Sequence, residues 1–519
     1  MTVNINRTSP PPAAPVAELL RRVRENPDEV ALIAAGQSWS VAQLSDLSAR
    51  LAAGLASRGV GPGHRVALHL HNGAEAALLY LACFRLGATA APLNTRLTSS
   101  ELADLTTRTR PALYVGAPDL YDAFAPVDDA LVPARARFLI GEPGRGPAVG
   151  SWRSLFADDG AVTEAAPPPD APAVLLPTSG TTGPSKIVVW SYRTLANLHL
   201  SAAGRGIVPG GVIPILTPLM HGAAVYYLLN ALTQRAVPVL IGQFEAGPTL
   251  DAIVRHRITN VFGLPFMCGA LAREQQMRPR DISSLRSATV AGDVCPAEVE
   301  VAFKQAFGVP LRSYWAAAED VGATVTDEQV GPYMRLIAEA DARVVDDTGA
   351  AVAHGDVGEL IVRSPTTSPG YWINEAEVDP LPDRAFRSGD LVRRLGPDRL
   401  AYVGRLKDLI VRGGSNVSPV EIEAELRQHP AVADAGVAGY PDPDLGQRVG
   451  AVLVGHPGRR GQPELDPRQV MDWLASRLAA YKIPERVLAV DAVPRNGLTK
   501  VDRAAVTQLL LDRASSSRP

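Results

Sequence analysis

Lysine is the residue this chain does without. Of its 51 basic side chains only five are lysines: Lys186, Lys304, Lys407, Lys482 and Lys500. Arginine meets every other need for a cation, so a position that keeps lysine is a candidate for a compact ammonium with three rotatable donors. Lys304, in a plain helical stretch (Ala297–Phe307), carries no such mark. Cysteine is scarce too, and Cys83, Cys268 and Cys295 lie far apart with no C-x-x-C pair and no histidine cluster. That argues against a zinc site or a disulfide framework and fits a reducing compartment, here expected to be the cytoplasm. Net charge is −3 with no dense basic run, so nucleic acid is not an expected partner. The longest apolar regions, Ala74–Phe84 and Gly211–Leu232, are short or broken by Pro, Thr and His, so no membrane span is expected. The opening M-T-V-N-I-N-R-T-S-P-P-P lacks the apolar core of a signal peptide.

What is present is the texture of an enzyme with more than one domain. At 519 residues the chain is too long for a single compact core. Residues 40–56 have the apolar spacing of an amphipathic helix, Arg65–Leu70 reads as a strand, Ala74–Leu86 as a helix and Ala88–Leu93 as a strand. The alternation continues through Val212–Leu216, Val237–Ile241, Asn260–Phe262 and Ala288–Val290, which predicts an α/β fold with parallel sheets. After about residue 335 short strands dominate (Ala342–Val345, Gly358–Val362, Leu400–Val403), predicting a small β-rich subdomain. Beyond Lys407 come Arg412–Gly413–Gly414 and a helix start in which Ser418 caps, Pro419 takes the first helical position and Glu421 completes a capping box. Strands near Ala431–Val437 and Gly450–Val454 and a helix at Arg468–Arg477 then make a C-terminal domain.

One stretch carries chemistry openly. Thr178–Lys186 reads T-S-G-T-T-G-P-S-K and follows an apolar strand, Ala173–Leu176. Glycines let backbone N–H groups converge, hydroxyls add donors, and an ammonium closes the loop, a combination suited to phosphate. The P-loop spacing G-x-x-x-x-G-K-[ST] is not met, and taken alone the stretch also fits a Ser/Thr/Gly linker. Further motifs follow in order: Pro218–Gly222 (P-L-M-H-G), Trp315–Glu319 (W-A-A-A-E), Phe386–Asp390 (F-R-S-G-D), Gly404–Asp408 (G-R-L-K-D) and Pro494–Lys500 (P-R-N-G-L-T-K). Together, from about residue 20 to 510, they resemble the adenylate-forming superfamily of acyl-CoA synthetases, peptide-synthetase adenylation domains and luciferases.

The resemblance implies an enzyme in which a carboxylate attacks the α-phosphorus of ATP, releasing pyrophosphate and giving an acyl-adenylate. Charge grows on the phosphoryl oxygens in the transition state, so positioned donors, cations and a metal do most of the work. By resemblance, Thr178, Ser179, Gly180, Thr181, Thr182, Gly183 and Lys186 hold the β- and γ-phosphates. Glu319 ligates Mg²⁺, Asp390 accepts both ribose hydroxyls, Arg405 adds a ribose or phosphate contact and Trp315 stacks on adenine. Lys500 bridges the carboxylate and α-phosphate, and Lys407 is the pivot about which a mobile C-terminal domain turns. The implied architecture is a disordered segment 1–15, an adenylation domain 16–404, a hinge 405–408 and a mobile α+β domain 409–519. Two departures stand out: the loop ends P-S-K-I, with Ile187 where a glycine is usual, and Ala318 replaces a threonine that usually bonds the AMP phosphate.

The acid and the acceptor are less constrained. The segment P-L-M-H-G-A-A-V-Y-Y holds no carboxylate to pair with an α-ammonium, which disfavours a free amino acid as donor. By fold-level analogy the acyl pocket is lined by Met220, Tyr226, Tyr227, Phe262, Phe266 and Met267, for an aromatic, cyclic or medium-length apolar acid. Ala291–Gly292–Asp293 resembles the A-G-E of aryl-acid CoA ligases, placing Gly292 and Asp293 at the nucleotide. CoA is the leading acceptor, because rotation would bring the Arg412–Gly414 loop to a pantetheine path. An amine, with His221 as its base, or a carrier-protein thiol stays open, and a non-catalytic nucleotide-binding homologue is the remote alternative.

Overall fold

The computed structural model describes residues 14–141, 149–178, 185–412, 415–456, 465–495 and 500–515. Residues 1–13 of the segment expected to be disordered lie outside these, but Ala14 and Pro15 already belong to a helix, Ala14–Glu25. Its Val16 and Leu19 are buried in the main core, and that burial orders the chain from there on. The next helix, Val41–Ala56, starts where the spacing places it. Ser40 accepts a bond from the Gln43 amide while the Gln43 side chain reaches back to the Ser40 N–H.

The largest sheet has nine strands. Pro172–Pro177, Thr89–Pro92, Arg65–His69, Leu113–Gly116, Arg137–Leu139 and Gly150–Ser151 lie side by side and parallel. Helix Ala74–Arg85 is apolar on nearly every face, so it is buried throughout, as such a helix must be. A four-stranded sheet (Val212–Ile215, Val237–Leu240, Val30–Ala34, Gln37–Ser40) is parallel except at its last strand. A three-stranded parallel sheet joins Asn260–Gly263, Ser287–Val290 and Leu311–Ser313.

In open parallel sheets ligands bind beyond the carboxyl ends of the strands. Four of the motifs fall there. Pro218–Gly222 follows Val212–Ile215, Phe266 follows Asn260–Gly263, Gly292–Asp293 follows Ser287–Val290, and Trp315–Glu319 follows Leu311–Ser313. The segment Thr178–Lys186 is flanked differently: Pro172–Pro177 and Ile187–Ser191 pair antiparallel, and the Lys186 carbonyl accepts the Thr178 N–H at 2.8 Å. Thr178 and Lys186 thus stand where the two strands of a hairpin open. Ile187 pairs with Pro177 and is fully buried, so at this position a core side chain stands where a glycine is usual.

The β-rich subdomain begins at Thr324, earlier than expected. It is one antiparallel sheet of Thr324–Thr326, Tyr333–Leu336, Arg399–Arg405, Phe386–Arg394, Val357–Arg363 and Asp341–Val345. The C-terminal part pairs Gly446–Gly455 with Val432–Asp442 antiparallel and with Arg486–Ala489 parallel, covered by helices Pro419–Leu426, Pro467–Ala475 and Arg503–Ser515. One local expectation fails here. Ser418 is the N-cap residue of Pro419–Leu426 but makes no side-chain cap; its hydroxyl donates to the Val403 carbonyl at 3.2 Å, while Glu421 pairs with Lys482 at 2.7 Å. Tertiary partners have displaced the capping box. Among the described residues no helix is long and apolar enough to cross a membrane.

Candidate active site

A cavity of about 2620 Å³ lies between the parallel sheets, the β-rich subdomain and the C-terminal part, and its walls bring together residues far apart in sequence. Thr178, His221, Gly292, Asp293, Trp315, Ala318, Asp390, Arg405, Lys407 and Lys500 all line it. Ser179–Pro184, Gly413 and Gly414 lie outside the described residues, as do residues 496–499 ahead of Lys500.

Asp390 is the most constrained of these groups. It sits on strand Phe386–Arg394 just after Gly389, whose φ of +66° turns the chain at the cavity edge. It is 4% exposed, and its Oδ2 accepts the Trp315 indole N–H at 2.7 Å. The Arg405 Nε lies 3.0 Å from Oδ1, yet off the line a hydrogen bond needs, so Oδ1 has no aligned donor among the described residues. Burial pushes the carboxyl pKa up, against the pull of Arg405, the indole and Lys500. A buried carboxylate oxygen with an open lone pair beside a cation is what a ribose hydroxyl would complete. Trp315 has a duty that was not foreseen: it holds this carboxylate, while Phe386 stacks near its ring at 6.4 Å.

The metal-side group forms beside the base of the hairpin loop. The Lys186 ammonium lies 4.4 Å from the ring centre of Tyr371, whose hydroxyl donates to Glu319 Oε1 at 3.0 Å. Burial raises the Glu319 pKa, opposed by its hydrogen bonds and by Lys186 and Arg405. Among the described residues no group of three His, Cys, Asp or Glu could hold a metal. A lone carboxylate fits Mg²⁺, which takes one or two protein carboxylates and fills its shell with phosphate oxygens and water. Tyr371 was missed in the sequence, although it stands in P-G-Y-W directly after a hydroxyl-rich run. Tyr402 was missed too; it lines the cavity two residues before Gly404 and shares a hydrogen bond with Arg405.

Lys500 is half-buried in the cavity wall, within electrostatic reach of Asp293, Asp390 and Arg405. Burial lowers its pKa, Asp293 and Asp390 draw it back up, and Arg405 repels it. Its neighbour Arg503 donates to Glu423 at 2.6 Å and lies 3.5 Å from Asp408, holding the C-terminal helix against the short turn Leu406–Asp408. Ala318 presents only a methyl group, and its carbonyl accepts the Trp190 indole N–H at 2.8 Å.

On the acyl side the expected lining needs correction. Met220, His221, Phe266 and Tyr314 reach the cavity, and Phe266 is 42% exposed. Tyr226, Tyr227, Phe262 and Met267 do not line it. Tyr226 and Tyr227 are buried inside the core; their hydroxyls meet Ser201 at 2.7 Å and Thr289 at 3.0 Å, and Tyr227 stacks on Phe262 at 4.5 Å. Helix Gly222–Thr233 runs away from the cavity, so only its first turn can face the acid. Gly292 has φ +92°, and a Cβ there would meet Leu264 at 2.7 Å, so a glycine is needed at this wall. His221 precedes that helix, and burial with nearby Arg96 lowers its pKa, keeping the imidazole neutral.

The pattern of the AMP-binding enzyme family matches residues 19–372, and that of the AMP-binding enzyme C-terminal domain matches residues 421–500. A feruloyl-CoA synthase from Amycolatopsis is 31% identical over 512 residues, covering 94% of this chain and 97% of its own. The crystal structure of ATP-bound MatB from Rhodopseudomonas palustris superposes with a TM-score of 0.86 at 28% identity, covering 97% of this chain and 100% of its own. The amide bond synthetase McbA from Marinactinospora thermotolerans superposes at 0.82 with 26% identity, covering 95% of this chain and 99% of its own.

Proposed function

The chain belongs to the AMP-binding enzyme family and is an AMP-forming acid ligase, and on that premise we propose that it activates an aromatic carboxylic acid and passes the acyl group to CoA. The observation that carries the reading is the convergence of Asp390, Arg405 and Lys500 on one cavity whose other wall is Met220, Phe266 and Tyr314. Asp390 and Arg405 would take the ribose, the open Oδ1 accepting a hydroxyl. Lys186 and the Thr178 end of the hairpin would hold the outer phosphates. Glu319 would hold Mg²⁺ against phosphate oxygens, where the cation neutralises charge developing on the pyrophosphate. Lys500 would stand between the acid and the α-phosphate, steadying two anions as they meet. Met220, Phe266 and Tyr314 offer apolar and aromatic surface to a ring-bearing acid, as the likeness to a feruloyl-CoA synthase supports.

For the second half-reaction, residues 409–519 would turn about Lys407, in the hinge 405–408, relative to the domain 16–404. The Arg503 contact to Asp408 would change as Lys500 withdraws, while its pair with Glu423 would travel with the turning part. The amide-forming reading keeps one specific support: a neutral His221 on the cavity wall can accept a proton from an amine, and McbA shares the fold. ATP–pyrophosphate exchange with a panel of aryl and alkyl acids tests activation; exchange with no acid would favour a non-catalytic nucleotide binder. Adding CoA, an amine or a carrier protein to the preformed adenylate then identifies the acceptor, and discharge by an amine but not CoA would overturn the thiol assignment.

A further inference from the structure

Next to Glu319 stands an aspartate that the reaction does not use. Asp320 is 0% exposed and has no cation partner among the described residues, an arrangement that needs compensation from hydrogen bonds. The compensation comes from the S-P-T-T-S loop. Ser364 Oγ and Thr366 Oγ1 donate to Asp320 Oδ1 at 2.8 and 2.9 Å, and Thr367 Oγ1 donates to Oδ2 at 2.5 Å. Each of these hydroxyls also accepts a backbone N–H: Ser364 from Thr366, Thr366 from Gly322 and Thr367 from Ser364. Ser364 Oγ and Thr366 Oγ1 also lie 2.8 Å apart, so their protons are shared between that contact and Asp320 Oδ1, and the carboxylate is the acceptor at the centre of the cluster. Burial raises the Asp320 pKa, and these donors oppose the rise. Gly322 permits the close approach, since a Cβ there would meet Thr366 Oγ1 at 2.7 Å.

The clamped loop reaches both ends of the metal-side group. Ser368 N donates to the Glu319 carbonyl at 2.7 Å, and Ser368 Oγ lies 2.7 Å from the Val189 carbonyl on the strand that leaves the phosphate loop. Two residues on, Gly370–Asn374 carries Tyr371, which pairs with Val188 and donates to Glu319. We propose that Asp320 is the positioning residue for Glu319: by locking Ser364–Ser368 it sets the place of the Glu319 carboxylate relative to Lys186 and Tyr371, and so its grip on a phosphate-bound divalent cation. This rests on the adenylating function proposed above.

The test uses the full-length chain carrying Asp320→Asn and, separately, the milder Thr367→Ala. Asn keeps the shape, but its amide nitrogen cannot accept the protons aimed at it. Calorimetry with α,β-methylene-ATP, with and without Mg²⁺, reads the gain in affinity that the metal brings. That gain is expected to fall about 10- to 100-fold in Asp320→Asn and less in Thr367→Ala, the range seen when a metal ligand loses its outer support. Metal-free binding and consumption of preformed acyl-adenylate should stay near wild type. An unchanged metal-dependent gain in a folded variant overturns the inference alone. So does an equal loss of metal-free binding and adenylate use, which would mark a general structural role. If Asp320→Asn does not fold, Thr367→Ala decides by the same criteria. Wild-type protein that binds no nucleotide would overturn the proposed function and this inference with it.

Discussion

Replacing Trp315 with phenylalanine separates two roles that one side chain combines. Phenylalanine keeps an aromatic face for adenine and removes the N–H that Asp390 Oδ2 accepts at 2.7 Å. Asp390 is 4% exposed and its Oδ1 already lacks an aligned donor, so little solvent can replace the lost bond. A hydrogen bond to a charged group contributes about 1.5–3 kcal/mol, and burial already favours the neutral acid, so the carboxylate would be both less ionised and less fixed. That converts to a loss of roughly tenfold to a hundredfold in kcat/KM for ATP. Pyrophosphate exchange measured with ATP and with 2′,3′-dideoxy-ATP provides the control. A nucleotide without ribose hydroxyls gains nothing from Asp390, so the variant and wild type should differ little on it. An equal loss on both nucleotides would assign Trp315 to stacking alone, and no loss on either would refute the argument.

Lys500→Ala should lower pyrophosphate exchange about 10²–10³-fold, the usual cost of one transition-state contact, while leaving consumption of preformed acyl-adenylate largely intact; equal loss of both would refute the rotation of the C-terminal domain. Glu300→Gln should stabilise the fold in a pH-dependent way. Glu300 is 8% exposed, its Oε1 has no partner, and burial with nearby Glu298 pushes its pKa up to about 7. Because the folded pKa lies above the unfolded one, the stability it allows is complete at acid pH and lost as pH rises through about 7. The glutamine variant should thus gain up to about 3 kcal/mol at pH 8 and about 1 kcal/mol or less at pH 5, read by denaturant melts; a pH-independent difference would refute it. Ala318→Thr should raise kcat/KM for ATP up to about tenfold by returning a phosphate donor to the cavity wall, and an unchanged value would show that the methyl costs nothing.

Much of this was legible in the chain because the motifs follow strands whose apolar runs are easy to see. Asn260–Gly263, Ser287–Val290 and Leu311–Ser313 end where Phe266, Gly292 and Trp315 begin, so motif order alone assembles most of one wall. The failures share a physical cause. Tyr226 and Tyr227 look like pocket aromatics in P-L-M-H-G-A-A-V-Y-Y, but a helix rises 1.5 Å per residue, and four or five residues carry them into the core. Ser418 and Glu421 satisfy a local capping rule, and partners distant in sequence, Val403 and Lys482, outbid it. Tyr371 and Asp320 act through residues that only the folded chain brings near, and no spacing announces that.

The shortage of lysine proves a sharper guide than any single motif. Lys407, Lys482 and Lys500 line the cavity, and Lys186 stands at the base of its phosphate loop; only Lys304, in the last turn of an outer helix, does not belong to that neighbourhood. Lys482 was given no role from the sequence, yet it clamps Glu421 with bonds of 2.7 and 2.8 Å and fixes helix Pro419–Leu426 on the cavity rim. Arginine presents a rigid planar fork, whereas an ammonium on a flexible stem can be handed from one oxygen to another. If residues 409–519 turn about Lys407, Lys500 must change partners during the cycle, and a fork matched to one carboxylate would resist the exchange, whereas Lys482 and Glu421 both lie within the turning part and stay paired. A chain that otherwise uses arginine has kept lysine where charge has to move. On this argument Lys482→Arg, which keeps its pair with Glu421 inside the turning part, should leave the ratio of adenylation to acyl transfer unchanged, and a slowing of acyl transfer alone would show that Lys482 exchanges partners during the turn.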